Sequence, residues 1–199
     1  YFGIEEKRKN WESKKYTEIV ERYNLFDWLA AHQPRINMVI HLGARTDTTE
    51  FNYAIHEELN VQYSKDVIAF CAHTGIRIIY ASSAAVYGDG SHGYSDDETL
   101  FDSLVPLNLY GKSKLMVDRW ARDGGYLDQA VGLRYFNVFG PNEYHKGDMR
   151  SVGAKAFEQI QSDGKIRLFK SYRKGVAHGE QQRDFLFEIE GGRRDHGRR

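Results

Sequence analysis

Cysteine, long apolar runs and an excess of either charge are all missing from this sequence of 199 residues. The lone Cys71 excludes an internal disulfide and any multi-cysteine metal site. Such sparing use of cysteine suits a reducing compartment, and a cytoplasmic location is expected. No apolar run approaches the roughly 18 residues that a membrane-spanning helix needs. The first residues, Tyr1-Phe2-Gly3-Ile4-Glu5-Glu6-Lys7, hold neither an initiating Met nor a signal-like apolar segment. Lys and Arg number 28 and so do Asp and Glu, giving a formal charge of zero. That balance excludes a broad basic surface for nucleic acid and an acidic solvating tail as the main business of the chain.

What is present is enough for a core. Apolar residues make up 41% and aromatics 14%, with 13 Tyr and 11 Phe. Ile19, Val20, Tyr23, Phe26, Trp28 and Leu29 recur at helical spacing, which predicts a helix over 15–31 ended by Pro34. Ile36 to Leu42 reads as a buried strand that stops at Gly43-Ala44. A long helix is predicted over 52–74 with Gly75 as its terminator. A second buried strand covers 77–81, and a polar loop covers 88–108. A helix over 109–123 closes at Gly124-Gly125, and a third strand covers 130–135. A helix near 151–162 and short strands near 166–169 and 184–188 complete the reading. Buried strands alternating with helices predict an α/β fold, a Rossmann-like parallel sheet with helices on both faces.

In such sheets ligands bind beyond the carboxyl ends of the strands. Three segments lie there: His41-Leu42-Gly43-Ala44, Ala81-Ser82-Ser83-Ala84-Ala85-Val86-Tyr87-Gly88, and Phe136-Asn137-Val138-Phe139-Gly140-Pro141. In Tyr110-Gly111-Lys112-Ser113-Lys114 the Tyr and the second Lys are four apart, so a helix puts them on one face. An ammonium there favours the phenolate and brings Tyr110 toward acid–base work. Taken alone, that spacing also describes a solvated helix face. Ser83, directly after a buried strand, offers a hydroxyl to a substrate oxygen beside the tyrosine.

Together Ser83, Tyr110 and Lys114, with the 80–88 and 134–141 segments, resemble the extended short-chain dehydrogenase/reductase superfamily, in its NAD-dependent epimerase/dehydratase branch. Thr48-Thr49-Glu50, Tyr144-His145-Lys146-Gly147-Asp148-Met149 and Gln182-Arg183-Asp184-Phe185 narrow the resemblance to the ADP-L-glycero-D-manno-heptose 6-epimerases, over roughly residues 3–187. The resemblance implies transient oxidation of the sugar at C6 with bound NADP (NAD being possible), in the making of the lipopolysaccharide core heptose. It implies Tyr110 and Lys146 as the two proton-transferring groups, Ser83 to orient the sugar oxygen, and Lys114 to hold the nicotinamide ribose and acidify Tyr110. For the cofactor it implies Lys7, Leu42, Gly43, Ala44, Asn60, Lys114, Val138 and Lys146; for the substrate, Ser83, Asn137, Phe169 and Arg183. The partner it implies is a small-molecule nucleotide sugar, with no nucleic acid and no membrane, and the full-length protein is expected to be a homo-oligomer. Asp47 and Asp148 depart from the family pattern, where a small hydroxyl residue and a Ser are usual.

A further absence matters here. A dinucleotide fold runs a strand through a Gly-rich turn such as GxxGxxG into a helix, and no such strand–turn–helix is read in 1–199. The expected organisation is therefore a partial NAD(P)-binding Rossmann domain over 1–165, the start of a substrate-binding portion over 166–190 and a disordered tail over 191–199, an internal fragment of a larger epimerase. Two alternatives stay open. One is a UDP-hexose 4-epimerase or nucleotide-sugar dehydratase of the same superfamily; Ala84-Ala85 in place of an acidic pair argues against dehydration, and the HKG segment argues against the hexose enzymes. The other is a non-catalytic remnant that lacks the Gly-rich turn. The chain as it stands is expected to be inactive. Purified protein with NADP+ and the ADP-heptose checks this, and any epimerisation at C6 refutes it.

Overall fold

A computed structural model describes residues 5–172, 174–180 and 185–187. In chain order the helices and strands are α1 (Glu5–Arg8), α2 (Leu25–His32), β1 (Met38–His41), α3 (Tyr53–His56), α4 (Tyr63–Thr74), β2 (Arg77–Ser83), α5 (Leu109–Asp123), β3 (Ala130–Tyr135), β4 (Asn137–Phe139), α6 (Val152–Asp163) and β5 (Phe185–Phe187). The chain divides into two compact units, one of residues 23–135 and one of residues 1–22 with 136–199.

The first unit is built on a parallel three-stranded sheet in the order β1-β2-β3. Its registers run from Met38 opposite Arg77 to His41 opposite Tyr80, and from Ile78 opposite Ala130 to Ser83 opposite Tyr135. Parallel neighbours need a crossover between them, and α3–α4 and α5 supply the two. α3 and α4 are one helical run joined by a six-residue π-turn, Glu57–Gln62. Asn52 begins the run by accepting a hydrogen bond from the Ala54 N–H, and Gly75 ends it in the left-handed region. Helix α5 is capped by the Asn108 side chain, which accepts from the Gly111 N–H at 2.8 Å. Strand and helix meet in a core of Val61, Val67, Ile68, Cys71, Ile78 and Val117, all at most 2% exposed. On the opposite side of the sheet Met38, Ile40, Leu42, Val131 and Leu133 remain exposed.

The second unit pairs β4 with β5 in parallel, Asn137 opposite Phe185. Helix α6 starts at Ser151, whose hydroxyl accepts from the Ala154 N–H. Glu143 reaches across the turn to accept from the Ser151 backbone N–H and hydroxyl.

Three sequence expectations are corrected. The helix expected over 15–31 starts only at Leu25, because Ile19 and Tyr23 face solvent and give the earlier half nothing to bury. Residues 166–169 form no strand; Ile166, Leu168 and Phe169 are exposed, and the Phe169 carbonyl accepts from the Gly179 N–H at 3.0 Å. Residues 137–139, placed by the sequence beyond the end of the third strand, form β4, because the chain leaves one sheet at Tyr135 and joins another two residues later. The expected tail over 191–199 lies outside the described residues. Among the described residues no helix is long and apolar enough to cross a membrane.

His41 ends β1 with its Nε2 at 3.0 Å from the Ser64 hydroxyl of α4. Burial, then the positive charge of Lys114, push its pKa from the usual 6.5 down to about 4. A histidine so shifted takes up its proton more readily in the unfolded chain. Its contribution is complete above about pH 6.5 and is lost as the pH falls toward 4. The size is roughly 2–3 kcal/mol at pH 4.5. Replacing it, His41→Gln, is expected to flatten the stability–pH curve by that amount. Denaturant unfolding at pH 7.5 and 4.5 checks this, and equal losses in both proteins would contradict it.

Candidate active site

Strand β2 ends at Ser83, and the chain turns at once into a short helical turn, Ala84–Tyr87. Ser83 caps that turn: its Oγ accepts from the Ala85 N–H at 3.2 Å. The same hydroxyl acts on the Tyr110 phenol, favouring its ionised form. Helix α5 comes this close because Gly111 has no side chain; a Cβ there would sit 2.7 Å from the Ala85 carbonyl oxygen. The glycine after the tyrosine is therefore a packing requirement of the site.

One turn further along α5, Lys114 is 4% exposed. Its Nζ donates to the Ala81 carbonyl oxygen at 2.7 Å and stands 5.9 Å from the Tyr110 ring centre. Burial lowers its pKa to about 8, against the opposing pull of the Asp118 carboxylate. Tyr110 moves the other way. Burial raises its pKa, and only the Ser83 hydrogen bond opposes this. In this structure desolvation is the larger influence on Tyr110 and favours the phenol.

Asn60 lies in the π-turn and is fully buried. Its Oδ1 accepts from the Arg45 N–H at 2.7 Å, and its Nδ2 donates to the Arg45 carbonyl at 3.0 Å and to the Ser113 Oγ at 3.1 Å. It thereby ties the loop after β1, with Leu42, Gly43 and Ala44, to both crossover helices. Leu42 is exposed, and a Cβ on Gly43 would meet nothing within 4 Å, so a ligand has open access to this backbone. Asp47 has a local task. Its Oδ1 accepts from the Thr49 N–H and hydroxyl, and its Oδ2 from Arg45.

The remaining expected residues belong to the second unit. Lys146 is exposed on a short helical turn, Tyr144–Met149. It lines a cleft of about 320 Å³ with Asn10, Lys14, Val138, Asn142 and His145. Asn137 and Val138 are exposed on β4, Phe169 is exposed, and Lys7 is half-buried on α1. Arg183 lies outside the described residues. The structure thus brings Ser83, Tyr110, Lys114 and Asn60 together in one unit and Lys146, Val138 and Asn137 into the other.

Gly88-Asp89-Gly90-Ser91-His92-Gly93 has the GxGxxG spacing, which the sequence reading passed over. It folds as two reversing turns, closed by Gly90 N–H to Tyr87 O and Gly93 N–H to Gly90 O, each 3.0 Å. Non-helical residues 94–97 follow, so it presents no helix amides to a phosphate. This GxGxxG stretch is therefore no cradle for a dinucleotide's pyrophosphate. Two residues with a hand in the site were also missed, Asp118 and Arg134. A carboxylate four residues after Lys114 on the buried face of a helix was the available signal.

Comparison with known proteins settles the family. A model of the NAD dependent epimerase/dehydratase family matches residues 5–188. The chain belongs to the NAD-dependent epimerase/dehydratase family. Within it, the chain is 47% identical over 184 residues to an ADP-L-glycero-D-manno-heptose-6-epimerase of Nitratidesulfovibrio vulgaris, covering 92% of this chain and 57% of that protein. It is 42% identical over 188 residues to the enzyme of that name from Fusobacterium nucleatum, with the same coverage. A crystal structure of the Helicobacter pylori ADP-L-glycero-D-manno-heptose-6-epimerase superposes with a TM-score of 0.73 at 28% identity, covering 90% of this chain and 55% of that one. The chain thus spans little more than half the length of these epimerases. The fold expectation, a Rossmann-like α/β fold with a parallel sheet, holds.

Lys114 yields a stability prediction that runs against intuition. An ammonium whose pKa falls from 10.5 to about 8 on folding destabilises the folded chain below pH 8. That cost fades as the pH rises from 8 to 10.5. Lys114→Met is expected to stabilise the protein by about 1–3 kcal/mol at pH 7, after allowing for the lost bond to Ala81, and by nothing at pH 10.5. Thermal unfolding across that range checks it; a variant less stable at pH 7 contradicts it.

Proposed function

We propose that this chain carries the hydroxyl-recognising centre of a nucleotide-sugar epimerase that inverts C6 of an ADP-glycero-manno-heptose by transient oxidation. The observation that carries the reading is the meeting of Ser83, Tyr110 and Lys114 at the end of β2. It occurs in a chain whose relatives at 42–47% identity bear the heptose-epimerase name.

Inverting a carbon that bears a hydroxyl requires a proton to leave and return as the substrate turns between its two faces. Tyr110, held as the phenol, delivers its proton to the C6 oxygen as the carbonyl is reduced on one face. Ser83 donates to the same oxygen and fixes its direction. On the other face Lys146 takes the proton as the hydroxyl is oxidised, and the two exchange roles in the reverse reaction. A bound nicotinamide supplies the hydride acceptor and donor. Lys114 holds the nicotinamide ribose. Leu42, Gly43, Ala44, Asn60, Val138 and Lys146 line the cofactor, and Lys7 meets the extra phosphate of NADP, which this reading prefers to NAD. Asn137 and Phe169 contact the substrate and Arg183 its diphosphate, where a guanidinium fork suits two phosphate oxygens. The complete enzyme works in the cytoplasm as a homo-oligomer and serves lipopolysaccharide heptose synthesis.

The test is a chimaera in which this chain's matched region replaces that of the Nitratidesulfovibrio vulgaris relative. Loaded with NADP+, it is expected to interconvert the two C6 epimers of the ADP-heptose, read by proton NMR. Tyr110→Phe and Lys146→Met are each expected to lower kcat by about 10²–10⁴. Turnover of a UDP-hexose at C4 instead, or full activity in either variant, would overturn the reading.

A further inference from the structure

Behind the Ser83–Tyr110–Lys114 group lies a charged network that the proposed reaction does not use. Asp118, on α5, is 2% exposed. Its Oδ1 accepts from the Tyr80 hydroxyl at 3.2 Å, and its Oδ2 from the Ser82 hydroxyl at 2.9 Å and the Arg134 Nε at 3.1 Å. Arg134 is itself placed by its Nη1 donating to the Tyr87 hydroxyl and by the faces of Tyr87 and Phe101, whose centres lie 5.0 and 4.2 Å from its Cζ.

The pattern of attachment is specific. Tyr80 and Ser82 flank Ala81, the residue whose carbonyl takes the Lys114 ammonium. Two successive turns of α5 are thus pinned to three consecutive residues of β2, with β3 joined through Arg134. A carboxylate that served only to pack the helix would be costly to bury. Here it stands on the same helical face as a buried ammonium, four residues away, which is the spacing at which opposite charges stabilise each other.

We propose that Asp118 is a positioning residue that pins α5 to β2 and β3 and keeps the buried Lys114 ammonium charged beside Tyr110. Its importance to catalysis rests on the reading of Tyr110 and Lys114 given above; the coupling itself does not. The charged and titratable groups around Lys114 are His41 at the end of β1, Tyr110 and Asp118 on α5, and, behind Asp118, Tyr80 on β2 and Arg134 on β3. Of these Asp118 is the one whose effect favours the charged form of Lys114.

The experiment uses the 199-residue chain labelled with ¹³C at the lysine ε carbons, and no turnover is needed. The Lys114 signal is identified by its loss in Lys114→Met. In the unaltered chain it is expected to titrate near pH 8. In Asp118→Asn the midpoint is expected to fall by a pH unit or more, about a tenfold loss of proton affinity, and Asp118→Glu is expected to restore much of it. A midpoint that stays put in a folded Asp118→Asn chain, whatever happens to its melting temperature, overturns the proposal. If Asp118→Asn does not fold, the coupling is read from the other side, because it must be reciprocal. The Asp118 carboxyl ¹³C signal is expected to titrate at higher pH in Lys114→Met than in the unaltered chain, and an unmoved midpoint overturns the proposal. Neither result bears on which sugar is turned over, so a failure here is distinct from a failure of the chimaera.

Discussion

A positive charge enclosed by protein, at the point where a strand stops, is the constraint around which the first unit is arranged. Lys114 is nearly inaccessible, and its ammonium faces the Ala81 carbonyl near the end of β2. Holding it there requires α5 to lie close to the strand end, which Gly111 permits. It also requires a polar floor, which Tyr80, Ser82, Asp118 and Arg134 provide. The apolar core of Val61, Ile68, Cys71, Ile78 and Val117 lies beside that floor and closes it from water. Such a charge weakens the fold at neutral pH and is tolerated for what it does at the strand end, as expected of groups placed for chemistry.

The tyrosine shows why enclosure matters twice. The environment that strips water from Lys114 also strips it from Tyr110, and each loses part of its readiness to ionise, in opposite directions on the pH scale. A phenol held protonated is an acid in waiting, and the Ser83 hydroxyl beside it marks where the oxygen that receives the proton belongs.

Much of this was legible in the residues. Strand, helix, strand, helix, strand over 38–135 followed from the period of the apolar residues, and Gly75 and Gly124 stood where the helices stop. Tyr110 and Lys114 could be assigned to one face of a helix by counting. The rest was hidden because it depends on burial. The spacing of Ile19, Val20 and Tyr23 is helical, yet Ile19 and Tyr23 are exposed, and period alone cannot show which residues the fold will bury. The direction of the Tyr110 shift turns on desolvation, which no spacing encodes. Asn60 read as a residue on a helix, and its grip on the Arg45 backbone appears only once the chain has folded back. Asp118 carried a faint signal, a charge on the apolar side of α5, whose meaning lay in Ser82 and Arg134 on two other elements.

The π-turn of Glu57–Gln62 carries an implication for how this sequence tolerates change in length. Each hydrogen-bonded loop of a π-turn encloses one residue more than an α-turn does. Loss of a single residue between 57 and 62 would therefore leave an uninterrupted helix from Tyr53 to Thr74, of good local propensity. Because a π-turn advances fewer degrees per residue than an α-turn, the two ends of the run would keep nearly the same rotational phase. Val67, Ile68 and Cys71 would stay on the sheet, while the widened turn from which Asn60 reaches Arg45 and Ser113 would be lost. The segment is thus one where a deletion favourable to the helix is unfavourable to the molecule. The extra residue is the join between the half of the helix that holds the loop and the half that builds the core.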